Sequence, residues 1–414
     1  MALTRRTLSH GAVAAALLGT RSADAAPQTP ALPIAVNDLP PPKLAWERML
    51  DIPLRPERSD ERPDPLGEVI VLAPRFDGGA LIVSYDPSAA ATGGLRLLAI
   101  DVAGGTMFDV PISNPAGPAS GTITTNSVAL SAEAPGTIWL FHTWRLPTRP
   151  DVDEGPAASR LLAFDATGHE TMTTRLPERI ANDRVLAPQR QARVLRRMPD
   201  GSLLAAGTAW YGPPIWWFAR FTTSGKLLHE QSSRGFPDYI EDVRGNADGG
   251  FSLLMVDAED RHEKVTVRRY GADGRLAARL PEPELPQSIN CAVSLGPQRQ
   301  MRVLPIEADG ERSKAEIVWH EAGRGIVGRY PLGSLGCDDL QRNGEAVLMM
   351  GADLPIQDEA PPIFVGFLGE KPLWRRAEAS LATGAPAADG GAVILSVGKD
   401  GDKERMKLAR YKLP

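Results

Sequence analysis

An all-β fold, a seven-bladed β-propeller with four antiparallel strands per blade, is what this sequence predicts, and three features lead there. Glycine and proline number 40 and 37 among 414 residues, a density that punctuates the chain too often for long helices. A turn pair followed at once by an apolar strand recurs seven times. One surplus strand near the front of the chain matches one missing strand at its back.

Taken in order, residues 1–25 read as a cleavable signal peptide. Arg5 and Arg6 precede the apolar run GAVAAALLG (11–19), and ADAA (23–26) offers small residues for cleavage. That run is too short to span a bilayer. TRRTLSH (4–10) resembles the twin-arginine export signal, which implies a periplasmic or secreted protein of bacterial type; the general secretory route is the alternative. Residues 26–42 carry Pro27, Pro30, Pro33, Pro40, Pro41 and Pro42 and read as an extended linker. One propeller domain is expected over 43–414.

The repeat begins with DGGALIVSY (77–85) and continues as PGTIWLF (135–141), DGSLLAAG (200–207), DGGFSLLM (248–255), RQMRVLPI (299–306), NGEAVLMMG (343–351) and DGGAVILS (389–396). Asp-Gly and Asn-Gly tolerate positive φ and so mark a tight reversal into a strand. Each anchor is followed by a second strand: LRLLAID (95–101), SRLLAFD (159–165), WWFARFT (216–222), VTVRRYG (265–271), AEIVWHE (315–321), PIFVGFL (362–368) and MKLARYK (406–412). Further glycine turns lead into an outer strand, and a strand must precede each anchor. Four strands in roughly 45–50 residues make a propeller blade.

The seventh unit ends at Pro414, straight after MKLARYK, and so lacks its outer strand. KLAWERMLD (43–51) looks like the outer strand of the sixth unit, EKPLWRRAE (370–378). The N-terminal strand is therefore expected to complete the C-terminal blade, since a bare strand edge would otherwise be exposed. Trp46 and Met49 are expected to be buried by that pairing.

DGSLLAAG…WWFARFTTSGKLLHEQ (200–231) resembles the repeat of bacterial exported β-propeller proteins, in which Asp-Gly, a short strand ending in Gly, a strand with an Arg/Lys motif and a Gly turn recur. The third, fourth and seventh units match it well, the second and fifth poorly. The resemblance implies fold and export and carries no single activity.

Catalytic motifs are lacking. No two of His142, His169, His229, His262 and His320 stand at metal-ligand spacing, and neither a G-x-S-x-G elbow nor a phosphate-cradling loop is present. No metal site is assigned, although DAED (257–260) and KDGD (399–402) have the oxygen ligands calcium takes. Cys291 and Cys337 stand at equivalent places in neighbouring units, as a disulfide or as two buried thiols, depending on the distance between blades. The loop 142–158 is long and TAWYGPPI (208–215) is aromatic, and both face the mouth where the innermost strands start. Trp144, Trp210 and Tyr211 are the expected contact residues there, beside Glu241, Asp242, Asn290, Asp338 and Asp339 at the strand starts.

A net charge of −5 with interspersed signs gives no footprint for nucleic acid. Two functions remain. The first is a binding or scaffolding module for a protein, peptide or glycan of the cell envelope. The second is a propeller-type hydrolase or lyase that uses the channel acids, with or without calcium.

Overall fold

The computed structural model describes residues 34–52, 69–85, 94–113, 124–132, 136–145, 157–176, 189–210, 215–232, 239–257, 264–280, 291–296, 298–308, 311–354, 360–380, 382–401 and 403–414. The chain divides into Met1–Ile34 and Ala35–Pro414, and the second unit carries the fold.

After β1 (Lys43–Met49), the first blade comprises β2 (Val69–Pro74), β3 (Ala80–Tyr85), β4 (Leu95–Ile100) and β5 (Thr106–Ile112). The second comprises β6 (Thr124–Ser131), β7 (Thr137–Arg145), β8 (Ala157–Asp165) and β9 (Glu170–Arg175). The third has β10 (Gln189–Arg197), β11 (Leu203–Trp210), β12 (Ile215–Phe221) and β13 (Leu227–Ser232). The fourth has β14 (Tyr239–Gly245), β15 (Phe251–Asp257), β16 (Lys264–Tyr270) and β17 (Leu276–Leu280). The fifth follows with β18 (Cys291–Ser294), β19 (Arg299–Ala308), β20 (Glu311–Glu321) and β21 (Gly325–Gly333). The sixth has β22 (Asp339–Asn343), β23 (Ala346–Gly351), β24 (Ile363–Leu368) and β25 (Lys371–Ala377). In the seventh, β26 (Ala382–Pro386), β27 (Ala392–Asp400) and β28 (Lys403–Lys412) are completed by β1 on the outer edge. The fold is a seven-bladed β-propeller, as the repeat predicts.

Turn chemistry explains why the repeat looks as it does. Gly78, Gly201, Gly249 and Gly390 adopt φ near +80°, a region that disfavours a Cβ. In the third, fourth and seventh blades the turn aspartate caps its own turn: Asp200 accepts from Ser202 N, Asp248 from Gly250 N and Asp389 from Gly391 N, each at 3.0 Å. An arginine from the third strand grips the same carboxylate: Arg220 at 2.6 Å, Arg269 at 2.5 Å and Arg410 at 2.7 Å. Two of these arginines also reach the next blade. Arg220 donates to the Ala272 carbonyl at 2.8 Å, and Arg410 to the Gly78 carbonyl at 3.0 Å. The Asp-Gly…Arg pattern is thus a tie between turn, blade and neighbour, and it holds in the three units that match the repeat best.

Apolar burial follows the ring. Each neighbouring pair of blades shares its own hydrophobic cluster, so the core is seven seams, with side chains alternating along each strand between one seam and the next. The fifth–sixth seam is the largest described, and the fourth–fifth is the smallest: Leu254, Val267, Ala292, Leu304 and Val318.

The start of the fold differs from the expectation in two respects. The segment read as a linker is packed from Ala35 onward: Val36 and Leu39 enter the fifth–sixth seam, and Pro40 accepts a hydrogen bond from Arg375 N at 3.1 Å. Proline bars this stretch from a ladder but not from lying as a strap across the rims of β21 and β25. In the closing strand, Trp46 and Met49 are only half-buried; Leu50 and Ile52, just beyond it, are the deep anchors, 1 % and 6 % exposed in the seam between blades seven and one. Among the described residues no helix is long and apolar enough to cross a membrane.

Candidate functional site

The innermost strands line a central cavity of about 640 Å³. Its wall has two arcs. Blades seven, one and two supply apolar groups, among them Val71, Leu72, Leu130, Ala385 and Pro386; blades three, four and six supply Arg193, Arg196, Glu241, Asp242, Asp339 and Arg342. The cavity extends to the mouth on the Asp-Gly side, where Phe76 and Ala388 precede their turns, Asn343 opens its own, and Phe76 is 45 % exposed.

The charged arc is built by backbone irregularity. The inner strands of the first four blades each carry a bulge, between Val69 and Val71, Thr125 and Ser127, Ala192 and Val194, and Ile240 and Asp242. A bulge re-aims the extra residue. In blades three and four those extra residues are Arg193 and Glu241, which pair at 2.6 Å. Arg193 stays half exposed toward the cavity.

Asp242 is the knot of the wall. It is 3 % exposed and accepts from Arg342 Nε at 3.1 Å and from Ser294 N at 3.0 Å, joining blades four, five and six. Arg342 Nη2 also donates to the Val243 carbonyl at 3.1 Å, and Arg196 Nη2 reaches across the channel to the Arg342 carbonyl at 2.8 Å. Burial raises the Asp242 pKa, but the Arg342 and Arg196 charges and these hydrogen bonds outweigh it and hold the carboxyl below its ordinary value. Asp339 accepts from Leu340 N and from Gln341 Nε2, while partial desolvation of the Asp338 carboxyl, followed by the Asp339 charge, raises the Asp338 pKa.

The expected site residues are therefore divided. Glu241, Asp242 and Asp339 line one cavity, interleaved with arginines rather than crowded against one another. Trp144 is not a rim residue: it is 2 % exposed, 5.2 Å from the His142 ring, with the Arg160 guanidinium 5.4 Å from its centroid. Trp210 ends β11 opposite Gln189; its side chain, Tyr211, Asn290 and most of the two rim loops lie outside the described residues. Cys291 and Cys337 are both buried and are not bridged in this structure. Among the described residues no three His, Cys, Asp or Glu side chains gather as a metal group, and Asp400 of the KDGD run pairs with Arg405 at 3.2 Å.

Sequence reading overlooked Arg193, Arg196 and Arg342. A register argument was available for the first: Arg193 and Glu241 both stand eight residues before the anchor glycine of their unit, Gly201 and Gly249.

No protein-family model and no curated protein matches the chain. Solved structures do. The β-propeller domain of the Trilobed protease from Pyrococcus furiosus is similar at 10% identity and TM-score 0.40, over 69% of this chain and 82% of that one. A europium-containing methanol dehydrogenase is similar at 10% identity and TM-score 0.41, over 90% and 93%. These are likenesses of architecture alone.

Proposed function

We propose that this is an exported propeller of the bacterial repeat type acting as a binding module in the cell envelope, with its ligand seated in the central channel. One observation carries the reading: a cavity of about 640 Å³ whose apolar arc faces an arc of ion pairs. Such a wall suits a peptide segment or protein loop that presents an apolar side chain beside a charged group, because apolar contact supplies affinity and fixed charges supply orientation. The twin-arginine-like leader supports export. The ion-paired state of Glu241 and Asp242 favours binding over acid–base catalysis, which needs a carboxyl near its titration point at working pH.

The test is capture from envelope extract by the wild type, by Arg193→Glu and by Thr383→Trp, whose native residues both line the cavity, and by Lys371→Glu at an exposed position of β25. Capture by the wild type and Lys371→Glu, and at least roughly thirtyfold weaker binding by both channel variants at unchanged melting temperature, is the expected result. Equal capture by all four would move the site off the channel.

The hydrolase or lyase reading keeps one supporting observation, the raised pKa of Asp338 beside Asp339. Turnover of ester or glycoside substrates that is abolished by Asp339→Asn, or a melting shift on adding calcium, would favour it.

A further inference from the structure

Cys291 opens β18 of the fifth blade, and Cys337 stands two residues ahead of β22 of the sixth. Both are buried, 6 % and 4 % exposed, in the same inter-blade cluster as Val293, Leu335 and Leu340. The two side chains sit close enough to interact electrostatically: after burial, Cys291 is the next group that raises the Cys337 pKa. Cys337 Sγ donates to the Asp339 carbonyl at 3.4 Å. The two are the only cysteines in the sequence, and a packing role alone does not require them to meet.

We propose that Cys291 and Cys337 form an intramolecular disulfide that staples the inner strands of blades five and six beside the channel. The reaction needs a disulfide oxidant, either a small disulfide or a thiol–disulfide oxidoreductase. One cysteine thiolate attacks a sulfur of the oxidant, breaking its S–S bond and forming a mixed disulfide. The second thiolate then attacks the protein sulfur of that intermediate and expels the remaining oxidant thiolate. The protein loses two electrons and two protons, and the oxidant leaves as two thiols.

The setting dictates when this happens. Burial, the neighbouring Cys291 and the carboxylates of Asp339 and Asp338 push the Cys337 thiol well above its ordinary pKa, and a thiol without thiolate character is a poor nucleophile. The bridge therefore closes while the chain is folding, before the seam seals. Once closed it encloses the entire fifth blade in a covalent loop, which removes freedom from the unfolded chain.

The experiment refolds the full chain from denaturant with oxidised glutathione and, separately, with a reductant. The expected oxidised product is a monomer lighter by two hydrogen atoms. It takes up no maleimide when denatured without reductant and two equivalents after reduction. It melts several degrees above the reduced protein, and Cys291→Ser shows no redox-dependent shift. Two labelled thiols in the oxidised product, a glutathione adduct on either cysteine, or a bridged protein that melts no higher than the reduced one would overturn the proposal. Native reduced protein, exposed to maleimide without denaturant, should label slowly at both positions.

Discussion

Arg410 shows what a single side chain of the repeat does. It is 1 % exposed, donates from Nη2 to both carboxylate oxygens of Asp389 at 2.7 Å, and donates from Nε to the Gly78 carbonyl of the first blade. Removing it strands a turn carboxylate and an inter-blade carbonyl together. Arg410→Met should cost about 2–3 kcal/mol in denaturant unfolding, whereas Arg269→Met, whose pair with Asp248 is 38 % and 55 % exposed, should cost under about 1 kcal/mol. A second residue-scale expectation concerns His320. It is 2 % exposed, neither ring nitrogen has a hydrogen-bond partner among the described residues, and burial followed by the Arg302 charge lowers its pKa to about 4. The unfolded chain takes a proton near pH 6.5 while the folded one resists until about pH 4, so stability should fall steadily as pH drops through that window. His320→Leu should flatten this slope and leave the pH 7 stability equal or higher; a steeper slope in the variant would exclude His320 as its source.

At the scale of elements, the strands were legible because each obeys a local rule: an Asp-Gly or Asn-Gly turn, then apolar residues that need burial on both faces. Even the exchange of the N-terminal strand could be read, since a missing edge partner and a spare strand are both visible in one dimension. The strap was not. Val36 and Leu39 lie among prolines and look like linker, and nothing local announces that β21 and β25 leave a groove for them. The channel wall was half legible for a related reason. Acids at strand starts can be counted, but Arg342 passes the fifth blade to reach Asp242 on the fourth, and only ring geometry makes that a short distance. The strap can be weighed directly. A chain beginning at Lys43 should melt several degrees below one beginning at Ala35, because it loses two buried side chains from the fifth–sixth seam. Leu50→Ala in the chain beginning at Ala35 should cost about 2–4 kcal/mol through the seventh–first seam. Coincident melting of the two truncations would return residues 35–42 to the status of a linker.

At the scale of the whole molecule, a ring of seven seams is as firm as its least apolar one. That is the seam between blades four and five. Its described apolar cluster is small, and much of the surface around it is polar: Asn246, Ser252, Gln300, Arg302 and His320 are each 3 % exposed or less. Among the described residues, Asn246 Nδ2 and both His320 nitrogens have no hydrogen-bond partner. The fifth blade also lacks the Asp-Gly turn that anchors the third-strand arginine in blades three, four and seven. Buried polar groups that are poorly matched return little when a seam closes. By contrast, the fifth–sixth seam has its large cluster, the strap from outside and the cysteine pair within, and the seventh–first seam is held by β1. Local opening proceeds by the cheapest cooperative unit, so the ring should part first between blades four and five. Native-state hydrogen exchange in rising denaturant checks this: the amides of β15, β16, β18 and β20 that face this seam should form the lowest-energy exchanging group, well below those of β23 and β24. His320→Leu should raise the opening energy of that group more than it raises global stability. If β1 and β28 exchange first instead, strand exchange rather than seam composition limits the integrity of the ring.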